Sequence, residues 1–172
     1  MTPTEARVLR HSGLALAEFA RILQAWPGIL ADSAAMVTYR ILHAVTVAAG
    51  ATLSGTGTVG STTVFGTLRP GSAANPDGIL SVHGDVTFSG LSAIFALELD
   101  GTGVGQYSQL STASTVDLET FTSLDLTIGY AATSGDTFAG IITSANLVGT
   151  LGFVPPGFQD SYSFTNLDLS IQ

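Results

Sequence analysis

Cysteine and lysine are both absent from the 172 residues, and charge of either sign is scarce. Without Cys there is no disulfide framework, no thiolate nucleophile and no Cys-ligated metal. Without Lys there is no amine to form a Schiff base. The five cations are Arg7, Arg10, Arg21, Arg40 and Arg69. A basic cluster of the kind phosphate binding demands is missing, so nucleic acid is excluded as a partner. Charged residues make up 10% of the chain and hydrophobic ones 45%, a ratio that excludes disorder. The length suits one domain with a sizeable core. The absence of Cys does not fix the compartment.

What charge there is falls unevenly. Residues 1–40 carry four Arg against Glu5, Glu18 and Asp32, whereas residues 41–172 carry Arg69 against ten acids. The two segments also differ in pattern. Thr2, Pro3 and Glu5 make a helix start with a capping box. Leu9, Leu16, Leu23 and Leu30 repeat every seven residues. Phe19 and Trp26 interleave with them, and Val8, Ala15 and Ile22 widen the stripe. This predicts an amphipathic helix over residues 3–26, ended by Pro27-Gly28. Glu18 and Arg21 interrupt the apolar run that a secretory signal needs. Trp26 and the Arg residues suit a membrane surface or a short coiled coil, and membrane contact is expected only through this helix. The leading expectation is a helix packed on the domain's own core as a cap.

From Ile41 onward the helical period gives way to short alternating runs separated by Gly and small polar residues. Val45-Thr46-Val47, Leu80-Ser81-Val82, Val86-Thr87-Phe88, Leu97-Glu98-Leu99, Val116-Asp117-Leu118, Leu124–Ile128 and Leu167–Ile171 are examples. Alternation puts the apolar side chains on one face. About a dozen strands are predicted, hence a mainly β domain over residues 41–172 after an N-terminal segment of residues 1–40. A sandwich or barrel fits this text, and so does a β-solenoid, in which each coil buries a face of the last. Low charge, many Thr and Ser, and Gly corners favour the solenoid. Coils of about 20–25 residues are expected. A solenoid has open ends that need caps, a role for residues 3–26.

Residues 43–172 also carry a resemblance. Val45–Val59 (VTVAAGATLSGTGTV) is followed by Gly66-Thr67-Leu68-Arg69-Pro70-Gly71, by Gly78–Phe88, by Asp100-Gly101-Thr102-Gly103 with Gln106–Leu110, and by Gly135-Asp136-Thr137-Phe138, Ile141-Ile142-Thr143 and Val148–Leu151. In order and spacing this resembles the β-strand repeat of bacterial autotransporter passengers, in particular their C-terminal, folding-nucleating end. The resemblance implies a right-handed parallel β-helix at the cell surface, in an adhesin or a structural stalk. Residues 1–40 match nothing in that repeat. A virion fibre or appendage that self-assembles through the N-terminal helix would use the same grammar and is the alternative.

The search for chemistry returns few candidates. His11, His43 and His83 lie too far apart for a helical metal pair, and His83 is expected on an exposed strand face. There is no G-x-S-x-G nucleophile elbow. Gly101–Gly105 is glycine-rich but precedes a strand-like run, so it reads as a turn and not a phosphate cradle. Asp85, Glu98, Asp117, Glu119, Asp125 and Asp168 alternate with apolar neighbours and are expected to face outward. Gathered on one face they would suit calcium, or as a close pair a glycosidase; scattered, they keep a long sheet soluble. Tyr107, Tyr130 and Tyr162 suit either sugar stacking or core packing. Thr46, Thr52, Thr87 and Thr127 suit ladders between coils.

No catalytic, cofactor-binding or metal-ligating residue is assigned. The expected function is that of a non-enzymatic structural or adhesive module of a secreted or cell-surface assembly. Its partners would be further copies of the chain, neighbouring subunits or a surface glycan.

Overall fold

Val, Ile, Leu, Phe and Thr in strict alternation favour extended backbone with one buried face, and the computed structural model, which describes residues 43–172, is built of such segments. Thirteen strands and no helix lie among the described residues. They are β1 (Val45–Val47), β2 (Thr52–Gly55), β3 (Thr58–Val64), β4 (Thr67–Pro70), β5 (Ile79–Phe88), β6 (Ile94–Leu99), β7 (Gln109–Thr112), β8 (Thr115–Leu118), β9 (Ser123–Ile128), β10 (Thr137–Thr143), β11 (Asn146–Gly149), β12 (Phe158–Tyr162) and β13 (Asn166–Ile171). The helix expected at residues 3–26, with its capping role, lies outside the described residues.

The strands form two sheets. One runs β1-β3-β5-β7-β10-β13-β12, with β8 beside β5 and β11 beside β8; the other runs β2-β4-β6-β9. Every pairing in the second sheet is parallel. The first is parallel too, except that β13 runs antiparallel to both β10 and β12. Up to β9 the chain crosses from one sheet to the other and back, so a strand pairs with one some distance further along the chain. That distance is shortest at the start, where Thr52 pairs with Thr67 and Val45 with Thr62. It then lengthens: Thr62 pairs with Val86, Val86 with Val116, and Leu110 with Ile142. The spacing of about 20–25 residues expected from the sequence thus holds only in the second step, and later steps are about thirty residues. The longer corners, such as Asp100–Ser108 and Tyr130–Asp136, absorb the difference.

Register aligns the buried side chains in columns. Val47, Val64, Phe88 and Leu118 stack in the first sheet. Leu53, Leu68, Phe95 and Leu124 stack in the second. The two columns meet where the Phe88 and Phe95 rings pack edge to face at 5.8 Å. All but Leu53, the first of its column, are buried. Each such aliphatic or aromatic side chain contributes roughly 1.5–3 kcal/mol by leaving water.

The first sheet is creased. β5 bends at Gly84-Asp85, and its two halves pair with two separate strands, β7 and β8. Gly84 has φ 138°, and a Cβ there would stand 2.1 Å from the Ser61 hydroxyl oxygen, so only glycine fits.

Candidate interaction surface

The carboxylates do not gather into one stripe. Most are spent on holding one rung to the next. At the crease, Asp85 Oδ1 accepts the backbone N–H of Thr115 at 3.0 Å. Beside it, the Thr112 hydroxyl donates to the Gly84 carbonyl at 2.7 Å. One corner on, Glu119 reaches back to the preceding rung and accepts from the Ser89 hydroxyl and the Gly90 N–H, each at 3.1 Å. Asp168 on β13 accepts the Gly140 N–H at 2.6 Å. Glu98 pairs with Arg69 at 2.6 Å. Asp125 is exposed and Asp117 half-buried on the outer faces of β9 and β8. Alternation foretold the outward direction of these acids, but not that four of the six would be bound across rungs. Among the described residues no group of three or more His, Asp or Glu side chains is placed to hold a metal ion.

The Arg69–Glu98 pair borders an open hollow of about 430 Å³, lined also by Ser54, Gly71, Ser72 and Pro76. Just beyond lies Asp77, whose carboxyl is held above its ordinary range, first by burial and then by the charges of Asp100 and Glu98. Its Oδ1 is sealed from solvent with no hydrogen-bond partner among the described residues. The hollow brings together a guanidinium, a carboxylate and two hydroxyls, and no His lines it. A nucleophile with an adjacent base, the minimum for acyl transfer, is not assembled in this hollow. His83 stands exposed on β5, as its neighbours suggested.

Tyr107, Tyr130 and Tyr162 pack against the core. Tyr107 is buried edge-on to Phe138 at 5.5 Å, and its hydroxyl donates to the Ala139 carbonyl at 2.8 Å. Tyr130 packs on the same ring and donates to Asp136 at 2.7 Å. Burial, together with that bond, pushes its hydroxyl up to about 12. The Tyr162 hydroxyl donates to Asp160 and accepts the Leu151 N–H at 2.8 Å. All three hydroxyls are therefore engaged in hydrogen bonds, with the Tyr107 ring buried and those of Tyr130 and Tyr162 half-buried against the core.

The apolar groups that do face solvent were not singled out in the sequence. Phe65, Leu91 and Phe121 occupy the corners leading from β3 to β4, from β5 to β6 and from β8 to β9, and they are 40%, 78% and 55% exposed. Phe153 follows at the next corner, where its backbone bridges Ser123 and its carbonyl accepts the Leu124 N–H. These corners are in step: Ile94 N–H bonds the Gly66 carbonyl, and Ser123 N–H bonds the Ala93 carbonyl. One exposed apolar residue per rung thus marks a single side of the domain. The available signal was a large apolar residue inside a turn, where polar residues are the norm.

The chain matches no protein-family model, and no curated protein is similar to it. The likeness of residues 43–172 to autotransporter passengers therefore rests on the short motifs alone.

Proposed function

We propose that the chain is a non-enzymatic structural or adhesive module whose residues 41–172 form a right-handed β-solenoid, working in a secreted or cell-surface assembly. The observation that carries this reading is the rung-to-rung construction. Parallel strands recur at steps that lengthen to about thirty residues, with buried columns inside and carboxylates used as ties between rungs. Asp85, Glu119 and Asp168 hold neighbouring backbone in place, and Glu98 pairs with Arg69. Right-handed crossover is the hand that twisted parallel strands favour.

Adhesion, in this reading, uses the corner residues Phe65, Leu91 and Phe121, which recur at successive corners joined by backbone hydrogen bonds. A surface glycan or a neighbouring subunit is the partner this suits, because both offer apolar patches along an extended chain.

The test joins binding and turnover in one preparation. The full chain is applied to glycan-coated and protein-coated surfaces, and release of reducing ends is followed in parallel. Retention that falls about tenfold or more in the Phe65→Ser, Leu91→Ser, Phe121→Ser triple variant, with no turnover, supports the reading. Turnover that is lost in Asp77→Asn or Glu98→Gln overturns it in favour of a carboxylate enzyme.

A further inference from the structure

The hollow beside Arg69 opens where two strands part. β4 stays paired with β2 as far as Gly55 and Pro70, but its pairing with β6 ends at Leu68 and Phe95. Pro70 has no N–H with which to continue a ladder. β6 turns instead to Ser108. The Glu98 N–H donates to the Ser108 hydroxyl at 2.8 Å, and the Ser108 N–H donates to the Glu98 carbonyl at 2.9 Å. The gap between β4 and β6 is crossed by one side-chain pair, Arg69 with Glu98 at 2.6 Å. The turn that lines the hollow is equally fixed. The Gly71 N–H donates to the Gly55 carbonyl at 3.0 Å, and Ser72 and Asn75 exchange backbone hydrogen bonds at 2.9 and 3.1 Å. A site held this way is organised before any ligand arrives.

What it presents is a matched set of donors and acceptors. Arg69 uses Nη2 on Glu98, and Glu98 accepts through Oε2. The other guanidinium N–H groups and Glu98 Oε1 have no protein partner among the described residues. Free donors therefore stand beside a free acceptor. Neighbouring hydroxyls of a sugar ring meet that arrangement as a unit: one accepts from the guanidinium while the next donates to the carboxylate. Ala73 and Pro76 supply an apolar wall for the C–H face of the ring, and Ser54 and Ser72 supply hydroxyls. The volume of about 430 Å³ falls within the roughly 300–1,000 Å³ of small-ligand sites.

Charge narrows the class. Arg69 is the one Arg or Lys of the described residues, and Glu98 already meets it. Asp77 lies close enough to feel the charges of both Glu98 and Asp100. The surroundings are negative on balance, so a carboxylate or phosphate on the ligand is repelled. Of these acids only Glu98 lines the hollow, whereas cleavage of a glycosidic bond takes two.

We propose that this hollow is a binding subsite for a neutral sugar ring, held through vicinal hydroxyls on the Arg69–Glu98 pair and left uncleaved. It rests on the adhesive reading above, to which it adds a contact apart from Phe65, Leu91 and Phe121 and a class of glycan.

The test titrates the full chain with the methyl glycosides of glucose, galactose and mannose, and with glucuronic acid and N-acetylneuraminic acid, while backbone amide resonances are followed by NMR. The expected result is saturable shifts at Ser54, Ser72, Ala73 and Glu98 with at least one neutral glycoside, at a dissociation constant of about 1 mM. Both acids should bind about tenfold more weakly or not at all. Arg69→Leu/Glu98→Leu removes both partners and orphans neither charge. With its fold verified by circular dichroism, it should weaken the neutral glycoside about tenfold or more. Ala73→Trp leaves the pair intact, fills the hollow and should weaken binding as far. Either acid binding as tightly as the neutral glycosides, affinity unchanged in both variants, or no shift with any of the three glycosides overturns the site. Retention on glycan-coated surfaces that outlasts such a failure, and falls in the Phe65→Ser, Leu91→Ser, Phe121→Ser variant, overturns the subsite alone and leaves adhesion at the corners standing.

Discussion

Asp85 Oδ1 accepts the backbone N–H of Thr115 at 3.0 Å, joining residues thirty positions apart at the crease of the first sheet. The bond lies where β5 bends and where the next rung divides into β7 and β8, so Thr115 N–H has no strand partner at that point. A carboxylate here does what a continuous ladder does elsewhere.

That role sets a cost for its removal. Asp85→Ala leaves the Thr115 N–H without its charged acceptor and is expected to destabilise the domain by about 1–3 kcal/mol. Asp85→Asn keeps an acceptor oxygen and is expected to lose less than half as much. Chemical denaturation of the two variants checks the order. Equal losses would show that Asp85 acts through charge and not through this bond.

The buried columns give a second, sharper contrast along β9. Leu124 is 2% exposed, Leu126 is only half-buried because no strand among the described residues stacks beyond β9 over it, and Asp125 faces solvent. Leu124→Asp is expected to unfold the domain, since an unpaired charge in the core costs several kcal/mol. Leu126→Asp should be folded but weakened, and Asp125→Ala should fall within about 0.5 kcal/mol of the parent. Thermal unfolding of the three variants reads the gradient directly. A uniform loss would mean that β9 is covered on both edges.

Much of this was legible in the amino acids. Val116-Asp117-Leu118 and Leu124–Ile128 are strands because period-two alternation with one buried face leaves little choice; their parallel pairing was not written in the alternation, which fits a sandwich or barrel equally. The step length was less legible. It is set by corners such as Asp100–Ser108, whose residues carry no periodic pattern. The antiparallel finish was also hidden. β12 and β13 alternate like the other strands, and their direction is decided by the tight connection at Ser163–Asn166, where Ser163 N–H bonds the Asn166 carbonyl. Among the acids, alternation told which way Asp85 and Glu119 face. It did not tell what they reach, because their partners lie about thirty residues away on another rung. Phe65, Leu91 and Phe121 were passed over because an apolar residue in a turn belongs to neither period.

Stacking also places demands on glycine. Gly149 has φ 79°, and a Cβ there would lie 1.8 Å from the Leu118 carbonyl oxygen of the rung beneath. Gly135 has φ 95° with open space around it. Gly149→Ala therefore combines backbone strain with a backbone clash and is expected to cost about 3 kcal/mol or more, whereas Gly135→Ala meets strain alone, about 1 kcal/mol. Comparing the two unfolding midpoints separates these effects. Comparable losses would imply that β11 moves away from β8 to admit the methyl group.

Two carboxyls respond to acid in opposite senses. Asp136 is held below the ordinary carboxylate range by the Thr133 N–H and then by the Tyr130 hydroxyl. Its stabilising contribution is present at neutral pH and is lost as pH falls through that depressed value. Asp77 is held above the range by burial, Asp100 and Glu98. The folded state then binds its proton more tightly than the unfolded chain does, so Asp77 opposes folding at neutral pH and ceases to do so once both states are protonated. Asp77→Asn should therefore raise the unfolding midpoint at neutral pH, with the gain fading as pH falls through the raised folded value and gone below about 4. Asp136→Asn should lower it at neutral pH, and that loss should fade only at more acid pH still. Denaturation of both variants across an acid series tests the pair. A neutral-pH loss for Asp77→Asn would show that its carboxylate is tied to a partner which its sealed Oδ1 lacks among the described residues.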